Sequence, residues 1–330
     1  MRKPLLTAIL WTAALAGAAA DVPANHYPCL RAPQEPRIDG VIAGDPAWQA
    51  VPGVTGFRAL GGDFAHVRQT TAWMCWTPDA VCIAMLCEEP DAAGLKPSAK
   101  DGGWTWGEDS VEIFLTPLSG GQTYQFGVTA GGAKGSGEGG PDITACTAAA
   151  TIASDAYTLE LRIPYAVLGV KPPAAGTCWH GTFCRNVHMV TKTGGDKFTT
   201  WSPLQARFLE PENFATIEFA DRVLSVGEAK ALTEDMNRPY RQQLSAQVAA
   251  LAARAGEFRP ALEGARAHPR LGRQAQELLA MWQRLEELAA QSTKASLPEV
   301  RRALLDGHRL LDASYQTKYA GLLEQLFETP

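Results

Sequence analysis

Two periodicities divide the chain. Between residue 36 and about residue 220, apolar and polar positions alternate in short runs: 69–76, 81–88, 110–115, 124–130, 144–153, 157–163, 182–189 and 214–219. Alternation with period 2 sends successive side chains to opposite faces of a strand. Thr77-Pro78-Asp79-Ala80 separates the first two runs and predicts a hairpin. Pro164 and Gly169 bracket a second turn, and residues 131–140 hold six glycines, which predict a flexible loop. Many short strands between Gly- and Pro-rich turns predict a sandwich or barrel.

From about Val223 the period becomes helical. Val300, Leu304, His308, Leu311, Tyr315, Leu322 and Leu326 form one stripe, in which His308 is expected to pack against its neighbours. Leu278, Trp282, Leu285 and Leu288 form a second, and Leu244, Val248 and Leu251 a third that ends near Gly256. Ser296 and Glu299 make a capping box with Pro298 in the first turn. These stripes predict a helical hairpin or three-helix bundle whose core they fill.

The first twenty residues carry a different pattern. Arg2 and Lys3, the apolar run Leu5–Leu15 and the small residues Ala18-Ala19-Ala20 read as an export signal cleaved after Ala20. The run is shorter than the ~20 residues of a membrane span. Cys29 lies too far on for a lipid anchor, and no later run is long enough to cross a bilayer. The expected organisation is a signal peptide at 1–20, a β domain at 21–222 and a helical domain at 223–330, in a periplasmic or extracellular protein.

Composition narrows the partners. The net charge of -5 disfavours nucleic acid, and 46% hydrophobic residues suffice for well-filled cores. The cysteines are 29, 75, 82, 87, 146, 178 and 184, an odd number, so at least one stays unpaired. Cys178 and Cys184 lie six residues apart on one expected strand, about 20 Å, too far to bridge. Cys75 and Cys82 flank the Pro-Asp turn and can face each other, whereas Cys87 and Cys184 read as buried thiols. No C-x-x-C pair exists, which disfavours a zinc site.

The candidate chemistry centres on Trp104-Thr-Trp106-Gly-Glu108-Asp109-Ser-Val-Glu112-Ile-Phe114-Leu115. Two loop tryptophans beside acids suit sugar recognition. An aromatic plate takes the apolar face of a pyranose, and carboxylates accept from its hydroxyls. The competing reading is that both rings cover the edge of the core. Glu112 shares a face with Phe114. Without a ligand it is expected to pair with Arg185 or another base. Glu108 and Asp109 are adjacent, so they point to opposite faces and cannot flank one bond as glycosidase acids do. No Ser-His-Asp set and no H-E-x-x-H helix is present.

Several motifs in order resemble carbohydrate-binding module family 9 and its exported bacterial relatives. They are Ile38-Asp39-Gly40 with Asp45 and Trp48, then Trp106 to Phe114, then Tyr124-Gln-Phe126-Gly-Val128. Leu159 to Pro164 with Leu168, Trp179 to Arg185, Trp201-Ser-Pro203 and Phe208 to Phe214 follow. The resemblance covers about residues 35 to 220 and implies a β-sandwich of two antiparallel sheets. It implies a non-catalytic protein that clamps an oligo- or polysaccharide between the rings of Trp106 and Phe208. Glu112 and Gln205 would supply hydrogen bonds, with Trp104 and Arg185 nearby. Where sugar-clamping members carry an Arg, this chain has Gly127; where they carry an Asn, it has Thr182. Trp48, Trp73 and Trp179 are expected in the core, and Asp39-Gly40 in a turn.

Two further readings stand beside this one. Related redox sandwiches hold haem through Met and His; here one of the adjacent pair His188-Met189, which cannot both be axial ligands, would need a second ligand such as Met74 or Met85. A degenerate sandwich presented by a helical stalk would be structural, with the helices binding a protein partner or a second copy. No cofactor is expected, although some family members carry calcium; no loop here shows its alternating acidic ligands.

Overall fold

The structure is a computed structural model that describes residues 25–62, 68–118, 121–189 and 196–328, with side chains described as far as residue 322. The expected signal peptide lies outside the described residues. Among the described residues thirteen strands form one sheet: β1 (His26–Arg31), β2 (Gly53–Val54), β3 (Arg58–Ala59), β4 (Thr70–Trp76), β5 (Ala80–Glu88), β6 (Ser110–Thr116), β7 (Tyr124–Thr129), β8 (Lys134–Ser136), β9 (Thr147–Ile152), β10 (Ala156–Pro164), β11 (Cys178–Asn186), β12 (Phe198–Thr200) and β13 (Ala215–Ala220).

The sheet has two antiparallel arms. One runs β8-β7-β6-β11-β13 and the other β4-β5-β10-β9. Between them lies β1, parallel to β13 on one side and to β4 on the other. The expected pair of separate antiparallel sheets is therefore corrected to one mixed sheet, wrapped like a sandwich. Its inner faces share one core, in which Tyr27, Met74, Ile83, Ile113, Phe126, Leu159, Phe183 and Phe219 are fully or almost fully buried. The Tyr27 hydroxyl accepts from the Met74 amide at 2.7 Å and lies 2.8 Å from the Pro52 carbonyl, so a strand of only six residues is fixed from its middle. The glycine-rich stretch is also corrected: within it β8 pairs with β7.

The opening motif is structural. Asp45 caps helix α1 (Pro46–Gln49) by accepting from Ala47 N at 2.8 Å, and it also holds Arg37 N. On β10, the Glu160 carboxylate accepts from Trp48 Nε1 at 2.5 Å and from the amides of Asp39 and Gly40. Gly40 has φ +82°, and a Cβ there would meet the Ala150 backbone at 2.7 Å. Trp48 and Trp179 are buried as expected, Trp201 is buried too, and Trp73 is half-buried against Gly53.

Among the described residues five helices follow: α2 (Val226–Met236), α3 (Arg238–Gly256), α4 (Arg259–Ala265), α5 (Gly272–Gln291) and α6 (Leu297–Glu328). This corrects the expected hairpin or three-helix bundle. The three long helices α3, α5 and α6 still carry most of the second core, through Leu244, Val248, Ala275, Leu278, Val300 and Leu304. The stripe on α6 drifts from the expected phase. Its buried face continues through Gly307, Leu310, Ser314 and Thr317, so His308, Tyr315 and Leu322 are exposed.

The helices dock on the sheet through polar contacts. Asn237 accepts from Thr55 N and donates to Gly53 O, both at 2.9 Å. Thr233 Oγ1 accepts from Gly53 N, and Gln69 Nε2 donates to the Tyr240 hydroxyl at 3.2 Å. Arg301 of α6 pairs with Glu88 at the end of β5.

Candidate functional site

Strand parity sorts the candidate residues. On β6, Val111, Ile113 and Leu115 enter the core, so Ser110, Glu112 and Phe114 face outward. Glu112 stands opposite Gly127 of β7 and Cys184 of β11. Parity on β11 then puts Thr182, Cys184 and Asn186 on the same outer face, and Phe183 and Arg185 inside.

Glu112 lies at the bottom of this face, 5% exposed. Gln125 Nε2 donates to its Oε2 at 2.5 Å, and Asn186 Nδ2 donates to its Oε1 at 2.7 Å. Burial pushes the carboxyl above its usual range, and the two amides work against that rise. With one donor on each oxygen, about two of its roughly four lone-pair sites remain for other donors. Asn186 and Gln125 were not singled out from sequence. The available signal was the parity of β11 and β7 relative to Glu112.

Two aromatic pairs flank the carboxylate. Thr105–Gly107 is a 3-10 turn laid over β7, with Thr105 fully buried against Gly127 and Gly135. It holds the Trp106 ring over Gly127, and Trp104 meets Trp106 edge-on with centroids 5.1 Å apart. Trp104 is 71% exposed. His188 buttresses the turn: its Nε2 lies 3.1 Å from the Trp106 carbonyl, while its amide donates to Asp109. On the other side Phe198 stands opposite Asn186 on β12 and meets Phe208 edge-on at 5.8 Å. From β7 to β12 is three strand spacings, about 14 Å.

Phe208 and Gln205 share a loop organised by Glu210. That carboxylate accepts from the amides of Gln205, Ala206 and Arg207. Burial alone would raise its pKa, but these bonds and Asn213 hold it down at about 2. Gln205 itself is exposed and its amide donates to Pro203 O.

Arg185 departs from expectation. It is 0% exposed and extends through the core, with its guanidinium 5.2 Å from the Tyr157 ring centroid. Nη1 donates to Glu88 O at 2.9 Å and Nη2 lies 3.5 Å from Glu89. It does not pair with Glu112 because it leaves β11 on the opposite face. Thr182 is buried, and its hydroxyl accepts from Ser202 N.

The remaining acids are engaged elsewhere. Glu108 accepts from Ser98 N at 2.8 Å, and Asp109 is buried. Behind the Trp106 turn, Lys96, Glu108, Asp109 and His188 line a pocket of ≈ 200 Å³. Met74 and Met85 are fully buried in the sandwich core, whereas His188 lies at the Trp106 turn. Among the described residues, no three His, Cys, Asp or Glu side chains form a group able to hold a metal, and no helix is long and apolar enough to cross a membrane.

No family model matches the chain, and no curated protein matches it. Among solved structures it is similar to a carbohydrate binding module of family 9 from Caldicellulosiruptor kristjanssonii in complex with cellotriose. The identity is 19% and the TM-score 0.46, over 60% of this chain and 95% of the other. The module from the same organism in complex with glucose gives 19% identity and a TM-score of 0.45, over 58% and 95%. A protein from Bacteroides uniformis named for carbohydrate binding gives 14% and 0.45, over 59% and 99%.

Proposed function

We propose that this chain is an exported, non-catalytic saccharide-binding protein whose site is the outer face of β7, β6, β11 and β12. The observation that carries the proposal is the exposed indole of Trp104, braced on Trp106, beside a buried carboxylate held by amides on both oxygens. A pyranose ring stacks its apolar face on an indole. Its hydroxyls meet Glu112, Gln125 and Asn186 below the plate, and Phe208 with Phe198 closes the far side. Arg185 has no part in it, and Gln205 lies at the rim. The acids are engaged with amide donors, which is an arrangement for binding and not for proton transfer to a scissile bond.

Calorimetric titration with soluble gluco-, xylo-, manno- and galacto-oligosaccharides tests this. Trp104→Ala is the decisive variant, because its ring is exposed and its loss leaves folding intact. It is expected to weaken binding by about 1–3 kcal/mol, the scale of one large side chain withdrawn from water, with an unchanged melt. Glu112→Gln is expected to weaken binding through loss of a charged acceptor. The proposal is abandoned if no sugar titrates, or if Trp104→Ala binds as wild type does.

A second reading has its own support. Tyr315, Tyr319 and Leu322 are exposed along α6, with the tyrosine ring centroids 4.4 Å apart and the rings tilted by 46°. An interaction role for the helices predicts self-association or partner binding that Tyr315→Ser with Tyr319→Ser removes, as read by sedimentation velocity.

A further inference from the structure

We propose that Cys75 and Cys82 are a covalent modification site: the two thiols join as a cross-strand disulfide when the chain folds in the presence of a disulfide oxidant. The residues are direct partners across β4 and β5. The ladder is hydrogen-bonded at Thr77–Ala80 and at Gln69–Glu88. Bonded and non-bonded pairs alternate along an antiparallel ladder, so Cys75–Cys82 is a bonded pair too. Such pairs hold their Cα atoms about 5.5 Å apart, inside the roughly 4.4–6.8 Å that a disulfide spans, and their Cβ atoms at the wide end of about 4.5–5.5 Å, so the strands draw together by roughly 1 Å to bring them within the ~3.5–4.5 Å of a bridge.

Face alternation makes the pairing specific. Cys75 and Cys82 point to the outer face, where they pack with Ala32, Ile42 and Trp48. Cys29 and Cys87 point into the sandwich core. Both partner thiols are fully buried. Burial, with the Cys82 thiol next to it, pushes the Cys75 thiol well above its usual range, so the nucleophilic thiolate is scarce once the fold is complete. The bridge therefore forms once the hairpin has paired but before the outer cluster packs over it, and that packing afterwards shields it.

The chemistry balances as thiol–disulfide exchange. The thiolate of one cysteine attacks a sulfur of the oxidant disulfide, and one oxidant thiol leaves. The second cysteine, deprotonated, attacks the mixed disulfide and releases the other oxidant thiol. Two protein thiols lose two electrons and two protons, and one oxidant disulfide becomes two thiols.

The test is to refold the whole chain from denaturant with oxidised and reduced glutathione, then alkylate under denaturing conditions. Of the seven thiols, five are expected to label. Digestion without reductant at Asp79, which lies between the two cysteines, is expected to leave their peptides joined. Cys75→Ala and Cys82→Ala, with six thiols each, are expected to label six, while Cys29→Ala is expected to label four. Seven labelled thiols in the refolded wild type overturn the proposal. A bridge mapped to other cysteines, or two thiols still lost in Cys75→Ala, does so as well.

Discussion

Thr105 occupies the space that a side chain on Gly127 would need. A Cβ at residue 127 would stand 3.4 Å from Trp106 Cε3 and 2.2 Å from Thr105 Oγ1. The Thr105–Gly107 turn is thus laid flat on the sheet at a position where only glycine leaves room for it. Gly127→Ala is expected to destabilise by the ~1–3 kcal/mol of an overpacked site and to lift the turn, exposing Trp106. Melts and tryptophan emission check both effects. An unchanged melt and spectrum would mean that the turn is not held by this contact.

Trp48 and Trp104 should behave oppositely. Trp48→Ala empties the outer cluster and removes a donor from Glu160, and is expected to cost ~3–5 kcal/mol of stability. Trp104→Ala, at an exposed position, should stay within about 0.5 kcal/mol. Urea titration of both variants decides, and equal losses would show that Trp104 is part of the core.

Glu210 gives a pH signature. Its folded pKa, about 2, lies below the ordinary 4.5. Its contribution is therefore complete above about pH 4.5 and is lost as pH falls towards 2. Glu112 and Asp109, raised mainly by burial, act in the opposite sense. The informative quantity is thus the stability of wild type minus that of Glu210→Gln. This difference should shrink on acidification across that window. A difference that does not vary with pH would show that the loop amides do not bind the carboxylate.

The β half is expected to fold alone. A chain cut after Arg222 should melt cooperatively as an all-β domain. Its midpoint should lie below that of the intact chain, because Gly53, Thr55 and Gln69 lose the partners that Thr233, Asn237 and Tyr240 supply. Circular dichroism of the excised domain checks this, and an insoluble or non-cooperative product moves the boundary.

Much of the site is legible because it is local. Trp104, Trp106 and Glu112 lie within nine residues, and the alternation of β6 alone puts Glu112 and Phe114 on one face. What escapes is long-range. Asn186 reaches Glu112 from 74 positions away, and its role appears only once β11 is known to begin at Cys178. The same parity sends Arg185 into the core, where an arginine is unexpected unless its charge has partners. On α6, the Leu304–Gly307–Leu310 face was hidden because a glycine carries no hydrophobic signal, so the stripe was followed into Tyr315 instead. Strand β1 is the hardest to read: it is short, contains Pro28, and takes its partners from distant segments.

The position of β1 dictates the order of events in folding. His26 pairs with Thr216, so the sheet cannot become continuous until nearly the whole β region is available. Each arm can collapse early from its own hairpins, while the closing contact spans a large chain separation and is slow by its entropy. Until it forms, β13 and the outer side of β1 are raw edges able to pair with the wrong strand or with another chain. Translation thus exposes the first strand long before its β13 partner emerges. The interval between the two is the period in which this protein is most open to aggregation.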